Sequence, residues 1–413
     1  MLASRAKSAI KVAVLCMAVS LLSFILGAKI GYKPLYVFNK AEKNATITQD
    51  DIENFRRLRP LLDVMKMIEN RYVKEVDTAA LVQGAVKGMV QSLGDPYSVF
   101  MGPDEFQDFL ISVKGSFEGV GISLGVDKKT GAIMVVSPIE GTPAQKAGIL
   151  PKDRIVRVND TDLRGKSVDE AVKLLRGKKG TRVTVYIERP GFKDLLKFEL
   201  VRDSIRMKTV KEEMLGQNIG YVRITSFDSY TADEFREALA SLKKRGVKGM
   251  ILDLRNNPGG SLYESVKVAD MILGKGLVVY TEDRYNNRLE EYYSDEQRLT
   301  IPLVVLVNEN SASASEIVAG AIQDFKAGVL VGTRTFGKGS VQELQPLEDG
   351  SGLKLTIARY YIPSGRSIDG VGIEPNVKVE LDKGENPFAV PRDKDNQLNK
   401  AIELIKSWIM AGK

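Results

Sequence analysis

"GMILDLRNNPGGSLYESVKVADMIL" (residues 249–273) and "LVVLVNENSASASEIVAGAIQDF" (residues 303–325) are built alike: a short apolar run, a turn of small and amide residues, then apolar positions at helical spacing. A short continuous apolar run bounded by turn signals is the pattern of a strand buried on both faces. Strands alternating with helices from Gly220 to about Val379 predict an α/β layer fold for this part of the chain. Open sheets of this kind bind ligands beyond the carboxyl ends of their strands, and both turns fall there.

The second turn holds three serines, Ser311, Ser313 and Ser315, in a chain of 413 residues that contains no histidine. A Ser-His-Asp arrangement is therefore excluded, and any serine nucleophile needs another base. Ser313 to Glu316 spells S-x-x-E, a capping box, which by itself makes Ser313 a helix N-cap and nothing more. The same position places its hydroxyl where unpaired N–H groups and the helix dipole favour negative charge, with the N–H of Ala314 facing a developing oxyanion.

Farther along, "VGTRTFGKGSVQE" (residues 331–343) sets Lys338 between two glycines, with Gln342 four residues later. A lysine acts as a general base only when neutral, and moving its pKa from ~10.4 to ~7 or 8 costs about 4 kcal/mol. Desolvation supplies ~3 to 5 units, so Phe336, Val341 and a bound substrate are expected to exclude water. Gln342 takes no proton, but its amide is suited to orienting the lysine or a hydroxyl. Asp324, at the far end of the helix that begins near Ser313, is either a relay member or an exposed helix residue.

Between Ser116 and about Pro190 the texture changes to four short strands, "GVGISLGV", "GAIMVVSPI", "RIVRVND" and "TRVTVYIERP", with short helices at "TPAQKAG" and "SVDEAVKLLRG". This module resembles a PDZ domain. Gly119, Val120, Gly121 and Ile122 stand where such a domain converges backbone N–H groups on a peptide's terminal carboxylate, the next strand then pairing with the peptide. Ahead of it, Ile52 to Ser92 carries a helical stripe including Leu58, Leu61 and Leu62, expected as two or three helices ending at "LGDPYS". Behind the core, Leu398, Ile402, Ile405 and Ile409 recur at helical spacing behind a candidate N-cap, Asp395, to be buried on the core or against a second copy.

Arg5, Lys7 and Lys11 precede an uncharged run, Val12 to Ala28, that fits a signal peptide or an uncleaved anchor. Its length favours the anchor, and the charges ahead of it send the rest of the chain across the membrane. The single cysteine, Cys16, lies in this run, so no disulfide framework and no Cys or His metal site is expected. The net charge of +7 comes from 60 basic and 53 acidic residues in short clusters without interleaved aromatics, which argues against nucleic acid as a partner.

"SLGDPYSVFM", "DLRNNPGGSL", "NSASASEIVAGAIQD", "TFGKGSVQ" and "YYIPSGRSIDGVGIEPNV", in this order around the PDZ-like insert, resemble the carboxyl-terminal processing peptidases, also called tail-specific proteases. Asn310 and Asn376 depart from the residues common in relatives without removing a catalytic group. The resemblance implies a ClpP/crotonase-like protease core with an inserted PDZ domain and flanking helical regions. It implies Ser313 as nucleophile, Lys338 as general base, Gln342 as its support, Asp324 as a further relay member, and Ala314, Gly259 and Gly260 as the oxyanion hole. No cofactor is implied. Implied partners are protein substrates with apolar C-termini captured by the PDZ domain, an adaptor or activator protein, and a second copy as homodimer. The expected organisation is an anchor over 1–38, helices over 48–105, the PDZ domain over 106–192, the protease core over 193–381, and a linker with a helix over 382–413. The rival reading is a catalytically silent PDZ scaffold tethered to the membrane; acyl-CoA chemistry on such a core lacks a phosphate-binding signal.

Overall fold

The computed structural model describes residues 49–127, 130–216, 218–295, 298–382, 387–388 and 391–412. The expected anchor lies outside them. Among the described residues no helix is long and apolar enough to cross a membrane. The chain divides into two units between Val82 and Gln83. The first contains helix α1 (Gln49–Arg71) and the start of α2 (Thr78–Gln91). Leu58, Leu61 and Leu62 are exposed on α1.

The second unit continues from α2 through the "LGDPYS" turn into β1 (Val99–Met101), α3 (Pro103–Lys114) and β2 (Ser116–Gly119). A six-stranded antiparallel sheet follows: β3 (Ile122–Val126), β4 (Ile133–Pro138), β5 (Arg154–Val158), β6 (Thr161–Asp162), β7 (Arg182–Glu188) and β8 (Leu196–Val201). Helices α4 (Pro143–Lys146) and α5 (Val168–Leu175) lie between its strands, as the sequence predicts. Strand β8 pairs with β7 along its whole length, so residues 196–201 belong to this sheet and not to the core expected from residue 193. The edge strand is half-exposed, with Leu196, Phe198 and Leu200 turned inward and Lys197 and Glu199 outward. Strand β9 (Asp203–Arg206) then pairs with β2 and closes the module.

The core sheet runs in the order β10 (Val210–Leu215), β11 (Ile219–Ile224), β12 (Gly249–Asp253), β15 (Leu303–Val307), β16 (Val329–Gly332) and β19 (Val377–Lys378). Only the β10–β11 pair is antiparallel. Alternate residues face opposite layers: Leu252 and Val305 meet α6 (Thr231–Lys244), α7 (Leu262–Asp270) and α8 (Ala314–Asp324), whereas Ile251, Val304 and Leu306 meet α9 (Asn396–Met410). The C-terminal stripe is thus spent on the core through Leu398 and Ile405. A second sheet, ordered β1, β18 (Gly352–Tyr361), β13 (Gly276–Glu282), β14 (Arg288–Ser294), with β17 (Ser340–Pro346) also on β18, carries the "LGDPYS" segment and the lysine loop on one scaffold.

Helix α9 is locked at its start. Asp395 caps it by accepting the N–H of Leu398 at 3.0 Å, and the same carboxylate takes Arg255 at 2.9 Å. Arg255 also binds Asp253 at 2.7 Å, which in turn accepts the hydroxyl of Tyr221 at 2.7 Å. All four groups are buried, so removing one partner leaves a buried charge uncompensated. This clamp sits between β12 and the "NNPGG" turn and fixes where that turn begins.

Candidate active site

Ser313 occupies the join between β15 and α8 with φ 54° and ψ −114°. A left-handed φ is uncommon for a residue with a Cβ, and such strain persists only where surrounding contacts enforce it. The three serines differ in what holds them. Ser311 donates to the Leu254 carbonyl at 2.8 Å and Ser315 to the Asn257 carbonyl at 3.0 Å. Ser313 makes no such backbone bond; its side chain meets the hydroxyl of Tyr360, whose pKa burial pushes up to about 12. Tyr360 was read in the sequence only as part of the "YYIPSGRS" motif.

The capping box is present: the carboxylate of Glu316 accepts the Ser313 N–H at 2.8 Å, and the Glu316 N–H bonds the Ser313 carbonyl at 2.8 Å. Glu316 does far more than its motif predicts. Fully buried, it also accepts the N–H of Lys338 at 2.9 Å, the N–H of Gly337 at 2.7 Å and the hydroxyl of Thr335 at 2.5 Å. One carboxylate therefore fixes the backbone of Ser313 and of Lys338 together. Burial holds its carboxyl above the ordinary range while these four donors pull it down. The sequence signal was present, an acid three residues after the serine, but its second set of partners lies some twenty residues away.

Lys338 is half-buried. Burial first, and then the nearby ammonium of Lys354, depress its pKa, with Asp95 opposing them. Its Nζ lies 4.7 Å from the ring centre of Tyr97, in the "LGDPYS" turn, and makes no hydrogen bond to Ser313. That turn is stiff: Asp95 accepts the Ser98 hydroxyl at 2.6 Å and the Tyr97 N–H at 3.0 Å, and Ser98 accepts the N–H of Thr356 in β18 at 3.0 Å.

The other expected residues divide. Gln342 donates to Ser340 at 2.8 Å and to Thr356 at 3.3 Å, not to Lys338. Its amide thus braces β17 against β18 beneath the lysine loop. Asp324 accepts the Ser364 N–H at 2.9 Å and pairs with Arg366 at 3.1 Å. It stands at the opposite end of α8 from Ser313, roughly 15 Å along the axis at 1.5 Å per residue, too far for direct contact with the serine or for a relay through it. Gly259, at φ 97°, lies so close to the serine turn that a Cβ there would stand 2.9 Å from both the Ala314 nitrogen and the Ser313 Cβ. Its N–H, however, is taken by the Asn257 side chain at 2.9 Å. The N–H groups of Gly260 and Ala314 have no acceptor among the described residues and are the pair available to an oxyanion. Of the two departures, Asn376 accepts the Leu330 N–H at 2.9 Å and Asn310 donates to Asn256 at 3.0 Å, both structural uses.

Gly119, Val120, Gly121 and Ile122 line a cavity of about 130 Å³ beside α5. Gly121 has φ 78°, and a Cβ there would fall 2.4 Å from the Thr142 side chain, so the loop requires glycine.

This arrangement is that of a serine-type peptidase with a peptide-binding module ahead of it, and the comparisons agree. Residues 218–379 match the model of peptidase family S41, residues 110–188 that of the PDZ domain, and residues 24–105 that of the activating protease CtpB N-terminal domain. The chain belongs to the carboxy-terminal processing proteases of family S41. It is 38% identical over 399 residues to the carboxy-terminal-processing protease of Bartonella bacilliformis, covering 88% of this chain and 91% of that one. It is 43% identical over 317 residues to the carboxy-terminal processing protease CtpA of Bacillus subtilis, covering 76% and 67% respectively. A solved photosystem II D1 C-terminal processing protease aligns over 85% of this chain and 98% of its own, at 31% identity and a TM-score of 0.49.

Glu316→Gln is expected to replace two acceptor lone-pair sites with an amide NH₂ facing N–H donors. With bonds to a charged acceptor worth about 1.5–3 kcal/mol each, denaturant unfolding should show a loss of about 3 kcal/mol, and peptidase turnover should fall by ~10²-fold or more. Unchanged turnover in a folded variant would contradict the role given to this carboxylate.

Proposed function

We propose that the protein is an extracytoplasmic serine endopeptidase, held at the membrane by its N-terminal segment, that processes or degrades proteins from their C-terminal tails with Ser313 as nucleophile and Lys338 as general base. The observation that supports this most is the contrast among the three serines: only the strained Ser313 keeps its hydroxyl off backbone carbonyls, and the Glu316 carboxylate ties its turn to the loop of a lysine with a depressed pKa.

In the reaction, neutral Lys338 leaves the Tyr97 ring and takes the Oγ proton of Ser313 as Oγ bonds to the peptide carbonyl carbon. The N–H groups of Ala314 and Gly260 hold the oxyanion. Collapse breaks the C–N bond, and Lys338 returns the proton to the leaving amine. Water then attacks the acyl-enzyme, giving its proton to Lys338, and Ser313 recovers one on release. The depressed pKa of Lys338 favours the neutral form this cycle needs. The PDZ domain captures the apolar tail at Gly119 to Ile122 and gates entry, and an adaptor or activator protein and a second copy are the partners consistent with the family. The chain being a silent scaffold is disfavoured because Ser313, Lys338 and their shared support are all in place.

The full chain should degrade an unfolded protein ending in an apolar tail, whereas Ser313→Ala and Lys338→Ala should each lower turnover by at least ~10³-fold. Equal inertness of all three would favour the scaffold. In the pH profile, kcat should rise about tenfold per unit up to the Lys338 pKa and then level off. Lys354→Met removes a repelling charge, raises that pKa and should move the rising limb to higher pH; Asp95→Asn removes an attracting one and should move it lower. A limb unmoved by both would exclude Lys338 as the titrating base.

A further inference from the structure

The tail cavity has a cation in its wall, and that cation already holds a carboxylate. Arg176, which follows α5, lines the cavity with Phe117, and its guanidinium lies 5.9 Å from that ring's centre. It is also ion-paired to Asp108 of α3. One turn back on both helices Lys173 pairs with Asp104 at 2.9 Å, so two acidic residues four apart face two basic residues three apart.

Helix α3 is no part of the peptide-binding sheet. It follows β1, which pairs with β18, and its Phe106 is buried so tightly against that strand that a Cβ on Gly352 would stand 2.2 Å from the ring. The helix therefore bridges the protease sheet and the mouth of the tail cavity. The Arg176–Asp108 pair is its contact with a residue lining the cavity.

We propose that Asp108 is an internal stand-in for the substrate's terminal carboxylate. It occupies Arg176 in the resting chain, and a C-terminal peptide must displace it to bind. This rests on the reading of the cavity as the tail site and adds the regulation of that site: an autoinhibitory contact that the ligand's own chemical group releases. The ligand class is an apolar peptide with a free α-carboxylate. The energetics suit a latch. Both side chains are partly exposed, at 34% and 60%, and exposed pairs contribute little, so a tail displaces this one at small cost. Coupling is reciprocal: whatever factor the Asp108 contact takes from tail affinity is the factor by which a bound tail weakens that contact. Release opens the Arg176 end of the α3–α5 contact while Lys173–Asp104 holds the other and Phe106 stays on β18.

The test uses the full chain carrying Ser313→Ala and a fluorescein-labelled decapeptide ending Ala-Leu-Ala, with a free carboxylate or a C-terminal amide, read by fluorescence anisotropy. The background chain should bind the carboxylate form more tightly. Adding Asp108→Asn should tighten it a further two- to five-fold, the range of an exposed pair, and leave the amide form unchanged. Arg176→Gln should abolish the preference for the carboxylate. Asp104→Asn, which loosens the same helix pair away from the cavity, should leave both affinities unchanged. The inference is overturned if Asp108→Asn leaves carboxylate binding unchanged, tightens both peptides equally, or is matched by Asp104→Asn. A background chain that does not distinguish the two peptides would instead overturn the tail-site reading itself.

Discussion

The buried carboxylate of Glu316 is the point on which the site depends. Its two oxygens take the N–H of Ser313 and the N–H groups and hydroxyl of the Thr335–Lys338 loop. An acid buried this deeply is costly unless each lone pair finds a donor, and here four donors are supplied by two segments of the chain. The cost is met only when the serine turn and the lysine loop are both in place. A local capping motif thus becomes a long-range clamp. A second clamp, Arg255 between Asp253 and Asp395, does the same for the turn carrying Gly259 and Gly260.

The backbones of Ser313 and Lys338 are joined through Glu316, but their side chains rest on different partners. Ser313 rests on Tyr360 and Lys338 on the face of Tyr97. Both tyrosines belong to the second sheet or its entry turn, the same scaffold whose β1 leads into α3 and so to the PDZ module. The strain stored at Ser313 is carried by the enclosing contacts of Gly259 and Glu316 and is already present before substrate arrives.

Much of this was legible in the sequence because it is local. The strand, turn and helix patterns at 249–273 and 303–325, the glycine-rich PDZ loop and the Asp395 cap each lie within a few residues of chain, and each was found in place. Less legible was whatever depends on partners distant in sequence. Glu316 read as a cap because Gly337 and Lys338 are not its neighbours until the sheet is formed, and Arg255 drew no reading because Asp395 lies 140 residues away. Asp324 was left open in the sequence between a relay and an exposed helix residue; its partners in the fold are Ser364 and Arg366, which no local pattern indicates. Strand β8 was missed although Leu196, Phe198 and Leu200 alternate with Lys197 and Glu199, because its assignment to the PDZ sheet rests on pairing with β7 and not on its own residues.

The most direct test of Ser313 and Lys338 acting together is to label the intact chain with a fluorophosphonate, which forms an Oγ–P bond and expels fluoride, and to map the adduct by tandem mass spectrometry across residues 303–325. One adduct on Ser313 is predicted, absent in Lys338→Ala and forming faster as the pH rises toward the Lys338 pKa. Labelling of Ser311 or Ser315, or labelling of Ser313 at an undiminished rate without Lys338, would contradict it.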